Sequence, residues 1–257
     1  MTSIHRCRWK VSILSAFSLY LLTVPARSIP ARAAPPRVLY LMHSAGFKHE
    51  VLPVSEQILA ELGKTSGAFD ATVSSDTAVL SEQNLRSYAA VIFFTTGDLP
   101  IDDSQKRALI DFVRGGRGFV GIHSATDTFY KWPEYLELVG AYFDGHPWHE
   151  QVRVRVEDGR HPSTAHLPET FELKDEIYQF RDWSRDRVHV LLSLDPASVD
   201  LTKAGVKRTD KDFALAWTRE FGRGRMFYTA LGHEADVWRD ARFQQHLVGG
   251  IRWAIGN

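Results

Sequence analysis

The stretch that most constrains this chain is residues 114–128, RGGRGFVGIHSATDT, where a helix end, a buried strand and a sharp turn succeed one another. Arg114-Gly115-Gly116 stops a helix. Phe119, Val120, Gly121 and Ile122 form a short apolar run bounded by glycines, the pattern of a central strand covered on both faces of a parallel sheet. His123-Ser124-Ala125 then falls at that strand's carboxyl end. Open α/β sheets bind ligands at this edge, because loops and helix N-termini there offer unpaired N–H groups to a crevice. The local pattern imitates the strand-turn-helix elbow that exposes a nucleophile in hydrolases and amidotransferases, with His123 in the nucleophile's place. Such an elbow turns the imidazole outward, at a helix N-terminus whose dipole favours the neutral ring. His123→Ala is therefore expected to spare the fold and abolish function.

The flanking sequence supplies the rest of a sheet. Residues 37–42, 69–74 and 89–95 read as strands, and the last, an Ala-Ala-Val-Ile-Phe-Phe run, can only be buried on both faces. Residues 55–62 and the segment from Asp102-Asp103 to Gly115-Gly116 carry apolar residues at helical spacing. This alternation predicts a three-layer, doubly wound, flavodoxin-like α/β sheet, mostly parallel. Residues 127–215 break the regularity, with a helix over 132–139 and strands over 151–157, 171–180 and 188–194, read as β-rich insertions at the sheet's rim. Residues 195–211 read as an exposed loop. Strands over 214–218 and 225–230 and an amphipathic helix over 241–255 close the chain.

Charge separates the N-terminus from the remainder. Residues 1–33 hold Arg6, Arg8, Lys10, Arg27 and Arg32 and no acid, while the whole chain is formally neutral, so the body carries five more acids than bases. A mildly acidic body without a basic stripe argues against nucleic acid as a partner. The basic start, the apolar residues 11–24 and Ala31-Arg32-Ala33 together form an export signal with a cleavage pattern. The apolar stretch is shorter than the ~20 residues of a spanning helix, so a cleaved signal is preferred to a retained anchor, leaving no membrane contact afterwards. The expected organisation is a signal peptide over 1–33 and one domain over 34–257, periplasmic or extracellular. The single cysteine, Cys7, lies in the removed part, which excludes disulfides and a thiol nucleophile from the mature protein.

Histidines at strand ends carry the chemistry. His43, His123 and His233 each follow a strand, so one crevice could gather all three as catalytic groups, with His146 nearby. Imidazole moves protons near neutrality and ligates divalent metals such as zinc, which makes His43, His123, His146 and His233 a candidate metal set, although no compact ligand motif is present. Aromatic faces at Tyr130, Trp132, Trp148 and Trp238 could stack on sugar rings. Phe47, Ser124, His146, Trp148, Asp175 and Tyr178 are the candidate substrate-binding residues.

Six segments then form an ordered set: His43-Ser44-Ala45-Gly46-Phe47-Lys48-His49, Gly121-Ile122-His123-Ser124-Ala125, Gly145-His146-Pro147, His161-Pro162, Asp175-Glu176-Ile177-Tyr178 and Leu231-Gly232-His233. In that order they resemble the ThuA-like family, over about residues 37–256. The resemblance implies a fold similar to class I glutamine amidotransferases, in which a cysteine stands at the place of His123 and a histidine at that of His233. Amidotransferase activity is not implied without the cysteine. It also implies a small carbohydrate substrate, in the breakdown of glycosides and disaccharides oxidised at C3. A ketone at C3 acidifies the C2 proton, and the glycosidic oxygen on C1 lies β to the resulting carbanion. A base and an enolate stabiliser then suffice to expel the aglycone, without the paired carboxylates of ordinary glycosidases. The same groups would serve epimerisation or isomerisation. Two other classes stay open at this point: a non-catalytic carbohydrate-binding protein, and a serine hydrolase using Ser124.

Overall fold

The two strands that sequence marks as buried on both faces, and the first strand beside them, do form the middle of a sheet. In the computed structural model, β1 (Arg37–Leu41), β3 (Ala90–Phe93) and β4 (Gly118–Ile122) pair in parallel, and their apolar residues are inaccessible to solvent. β2 (Asp70–Ser74) lies outside β1, and β11 (Gly224–Thr229) follows β4, also in parallel. The structure describes residues 1–2 and 34–256, so the signal peptide expected over 1–33 lies almost wholly outside the described residues. The chain divides into Met1–Ala34 and Pro35–Asn257, and only the second is considered below.

The sheet does not stop at β11. A turn through Gly222-Arg223 sends the chain between β10 (Ala214–Phe221) and β11, and β9 (His189–Leu194), β6 (Trp148–Val156) and β7 (Thr170–Ile177) extend the sheet antiparallel beyond them. Among the described residues the order is β2-β1-β3-β4-β11-β10-β9-β6-β7. The β-rich insertions are thus a hydrogen-bonded continuation of one mixed sheet. A small separate pair, β5 (Tyr142–Phe143) with β8 (Phe180–Arg181), stands beside it.

Helices cover the sheet where their apolar faces predict. α1 (Leu52–Ser66) follows β1, and a four-residue α2 (Glu82–Leu85) precedes β3. α3 (Asp103–Arg114) begins at Asp102, whose carboxylate accepts the Gln105 N–H while the Gln105 side chain accepts from Asp102 N–H. This reciprocal cap satisfies two otherwise unpaired donors and fixes the helix start. α4 (Pro133–Val139), α5 (Ala235–Arg239) and α6 (Ala241–Ile255) complete the set. No helix among the described residues is long and apolar enough to cross a membrane. The helices leave the carboxyl ends of β1, β3, β4 and β11 meeting loops rather than helix faces, and the candidate residues lie there.

Candidate active site

The elbow after β4 is real, and it is strained. His123 has φ 46°, a left-handed conformation that few non-glycine residues adopt and that gathers at functional sites. Gly121 permits the turn: a Cβ there would lie 2.8 Å from the Tyr228 ring, and the Tyr228 hydroxyl donates to the His123 carbonyl at 2.7 Å. Two expectations need correction. The segment after His123 is a single 3₁₀ stretch, His123–Asp127, so no α-helix dipole acts on the ring. The imidazole is also wholly buried rather than turned out to solvent, because the antiparallel extension and the loop after β1 close over it.

Burial fixes what the His123 ring can do. Its Nδ1–H donates to the Ala230 carbonyl at 2.7 Å, an acceptor that holds this proton in place. In the neutral ring Nε2 then carries the lone pair, and in the protonated ring it donates; it faces three groups: the Tyr178 hydroxyl at 2.9 Å, His233 Nδ1 at 3.3 Å and Glu176 Oε2 at 3.4 Å. Glu176 Oε2 also lies 3.2 Å from His233 Nδ1, and its other oxygen, Oε1, is 3.1 Å from Nδ1 of the half-exposed His146. One carboxylate thus joins a buried imidazole, a second that is partly buried and a third that is half-exposed.

His49 packs against the other side of this group. Its ring meets those of His123, His233 and Phe94 at 4.9, 5.3 and 5.4 Å between centroids. One ligand atom from each of His49, His123, Glu176 and His233 falls within 4.8 Å of all the others, a set of nitrogen and oxygen donors that a divalent ion accepts. A second group, His149, His233 and Glu234, adjoins it, with His149 Nε2 2.5 Å from Glu234 Oε1.

The electrostatics follow from this packing. Burial opposes ionisation of Glu176, but the hydrogen bonds and charges of His123 and His233 outweigh it and hold the carboxyl well below the usual range. The Glu176 hydrogen bond raises His233 above its ordinary value, against burial. His49 is pushed down to about 3, first by burial and then by the neighbouring imidazoles of His123 and His233. Asp127, within reach of the same charges, is raised by burial despite accepting the Tyr130 hydroxyl.

Several expected residues sit elsewhere. His43 is not in the cluster: its Nδ1 lies 2.8 Å from the Ser75 carbonyl, on the β2 side of β1, while the loop runs on and brings His49 over β3. Asp175 is fully buried and its carboxylate is spent on the backbone N–H groups of Gly232, His233 and Glu234 at 2.7, 3.1 and 3.1 Å. It positions the His233 loop, where Gly232 has φ 116°, rather than meeting substrate. Trp148 is also no binding face, being buried edge-on against Phe213 with its N–H donated to Asp200. Trp132 and Trp238 are core residues for the same reason. Tyr178 is buried and meets the site through its ring, 4.3 Å from that of His123 between centroids, and its hydroxyl, and Ser124 is buried with its hydroxyl unpaired among the described residues. Phe47 is the exposed aromatic, 63% accessible, with its ring edge-on to His49 at 4.9 Å. His49 and Glu176, both inside motifs visible in the sequence, are the members that sequence reasoning passed over.

This site can be set beside known proteins. A model of the ThuA family, described as trehalose utilisation, matches residues 37–254. The chain belongs to the ThuA family. A ThuA-like protein of Bacteroides uniformis is 25% identical with a TM-score of 0.70, covering 88% of this chain and 95% of that one. Another, from Parabacteroides merdae, is 21% identical with a TM-score of 0.71, over 86% and 90%. A β-galactosidase from Bacillus circulans shares only the fold, at 14% identity and a TM-score of 0.52, over 87% of this chain and 31% of its own. No curated protein matches. Within the ThuA family, then, this chain places the buried imidazole of His123 at the carboxyl end of β4.

Proposed function

We propose that this protein, exported by its N-terminal segment, acts in carbohydrate catabolism on glycosides oxidised at C3, removing the C2 proton and releasing the aglycone. The observation that carries the reading is the split carboxylate of Glu176, with Oε2 on His123 and His233 and Oε1 on His146. A carboxylate that receives the Nδ1–H of His146 leaves that ring's Nε2 free to accept a proton, and half of the side chain is open to solvent. Family membership supplies the frame, since the family is described by trehalose utilisation.

His146 takes the proton from C2, and the C–H electron pair becomes an enolate across C2 and C3. Those electrons then form the C1–C2 double bond as the C1–O bond breaks, and the departing oxygen takes a proton from the second imidazole–carboxylate pair, His149 and Glu234. Water addition to the unsaturated ketone completes a net hydrolysis. Phe47 offers its exposed face to the sugar ring. Neither a thiol nor a serine elbow takes part, because His123 occupies the nucleophile's position and the Ser124 hydroxyl is buried.

The test incubates the protein with 3-keto-trehalose in deuterated water and follows glucose release and C2 deuteration. Release with exchange is expected, reduced by roughly 10²–10⁴-fold in His146→Ala. Wild-type protein that neither exchanges nor cleaves the ketone, or a His146→Ala variant with unchanged rates, would overturn the assignment.

A further inference from the structure

We infer that His123, His233 and Glu176 bind one divalent transition-metal ion of the zinc class, with His49 beside the fourth position. This deepens the proposed reaction, for which such an ion would polarise the C3 ketone, but it rests on distances alone. Zinc–ligand bonds of about 2.0–2.1 Å in a tetrahedron set neighbouring ligand atoms roughly 3.3–3.4 Å apart. The three separations among His123 Nε2, His233 Nδ1 and Glu176 Oε2 are 3.3, 3.4 and 3.2 Å, so the atoms form a nearly equilateral triangle of that size.

The surrounding contacts hold these atoms as ligands need to be held. The Ala230 carbonyl takes the far proton of His123 and leaves Nε2 bare, the arrangement by which metal-bound imidazoles are oriented. Three backbone N–H groups on the Asp175 carboxylate pin the His233 loop. Glu176 keeps its second oxygen for His146, so metal ligation by Oε2 and orientation of the base by Oε1 are compatible. His49 stands within 4.8 Å of each ligand atom, so a small shift closes the fourth position or leaves it to a substrate oxygen. Two contacts must change: the Tyr178 hydroxyl, now 2.9 Å from His123 Nε2, has to turn to another acceptor, and the proton between His233 Nδ1 and Glu176 Oε2 has to leave as the ion binds.

The experiment uses untagged mature protein, stripped with a chelator and titrated with Zn²⁺ by calorimetry and with Co²⁺ by visible absorption. One ion per chain is expected, with the d–d bands of a four- or five-coordinate cobalt. Glu176→Gln and His233→Gln, both close in volume to the native residues, should each weaken Zn²⁺ binding at least ~10-fold and alter the cobalt spectrum, while His43→Ala should do neither. Folding of each variant is checked by circular dichroism. Absence of stoichiometric binding, or binding unchanged in both folded variants, would overturn the inference. Turnover of 3-keto-trehalose by chelator-treated protein would leave the proposed reaction standing without the ion; stoichiometric Zn²⁺ binding with no turnover would do the reverse.

Discussion

At the scale of single residues, neighbours in sequence divide the labour. Asp175 and Glu176 are adjacent on β7, and strand alternation sends them to opposite faces, one onto the backbone of the His233 loop and the other among the histidines. Asp175→Asn exchanges two acceptor oxygens for one and leaves a buried N–H group short of a partner. It should cost on the order of 1–3 kcal/mol of stability, read as a lower urea midpoint, and loosen the His233 loop. His123→Ala should abolish turnover and also destabilise, because the ring is fully buried, in contrast to the outward-facing residue that the elbow pattern alone suggests. A variant as stable as wild type in urea would contradict the packing described for it. Histidines at strand ends were legible because loop position shows in the apolar pattern. The part of Glu176 was not, since period-two alternation separates two faces without saying which one meets the loop after β11.

Elements differ in how openly sequence declares them. β3 and β4 are short apolar runs that read as strands buried on both faces, and α3 announces its start through Asp102 and Gln105. The pairing of β6, β7 and β9 rests on contacts between segments far apart in sequence, so the order β11-β10-β9-β6-β7 could not be read beforehand. The loop after β1 shows the same limit at close range: it contains two histidines, and only the path back over β3, with Ala45 and Gly46 N–H donated to the Thr96 carbonyl, selects His49 over His43. That path also presents Phe47 to solvent beside the site. Phe47→Ala removes a side chain that is 63% exposed, so the unfolding free energy from urea titration should stay within about 0.5 kcal/mol of wild type while KM for the keto-glycoside rises and kcat holds. A fall in kcat with KM unchanged would remove Phe47 from substrate binding.

The whole molecule carries a second histidine group, away from the site, that ties its stability to pH. His246 on α6 is buried against Phe227 and Phe243, donates Nδ1–H to the Ser163 carbonyl at 3.0 Å, and has no partner for Nε2 among the described residues. Burial, with smaller contributions from His166 and His161 and against the Ser163 hydrogen bond, lowers it to about 3, and burial lowers His161 to about 4. Both rings are thus neutral in the folded chain at pH values where an unfolded histidine, near 6.5, is charged. Below about pH 6.5 the unfolded state binds the extra protons, so the stability these neutral rings allow is complete above that pH and drains away as pH falls toward 4 and then 3. Each buried ring contributes a slope of roughly 1.4 kcal/mol per pH unit over that window. Urea unfolding between pH 7 and 5 should show a falling midpoint, and His246→Leu should flatten the slope by close to one proton even if it lowers the midpoint at pH 7 through the lost Ser163 bond. Parallel slopes in wild type and variant would mean that His246 does not control the acid response.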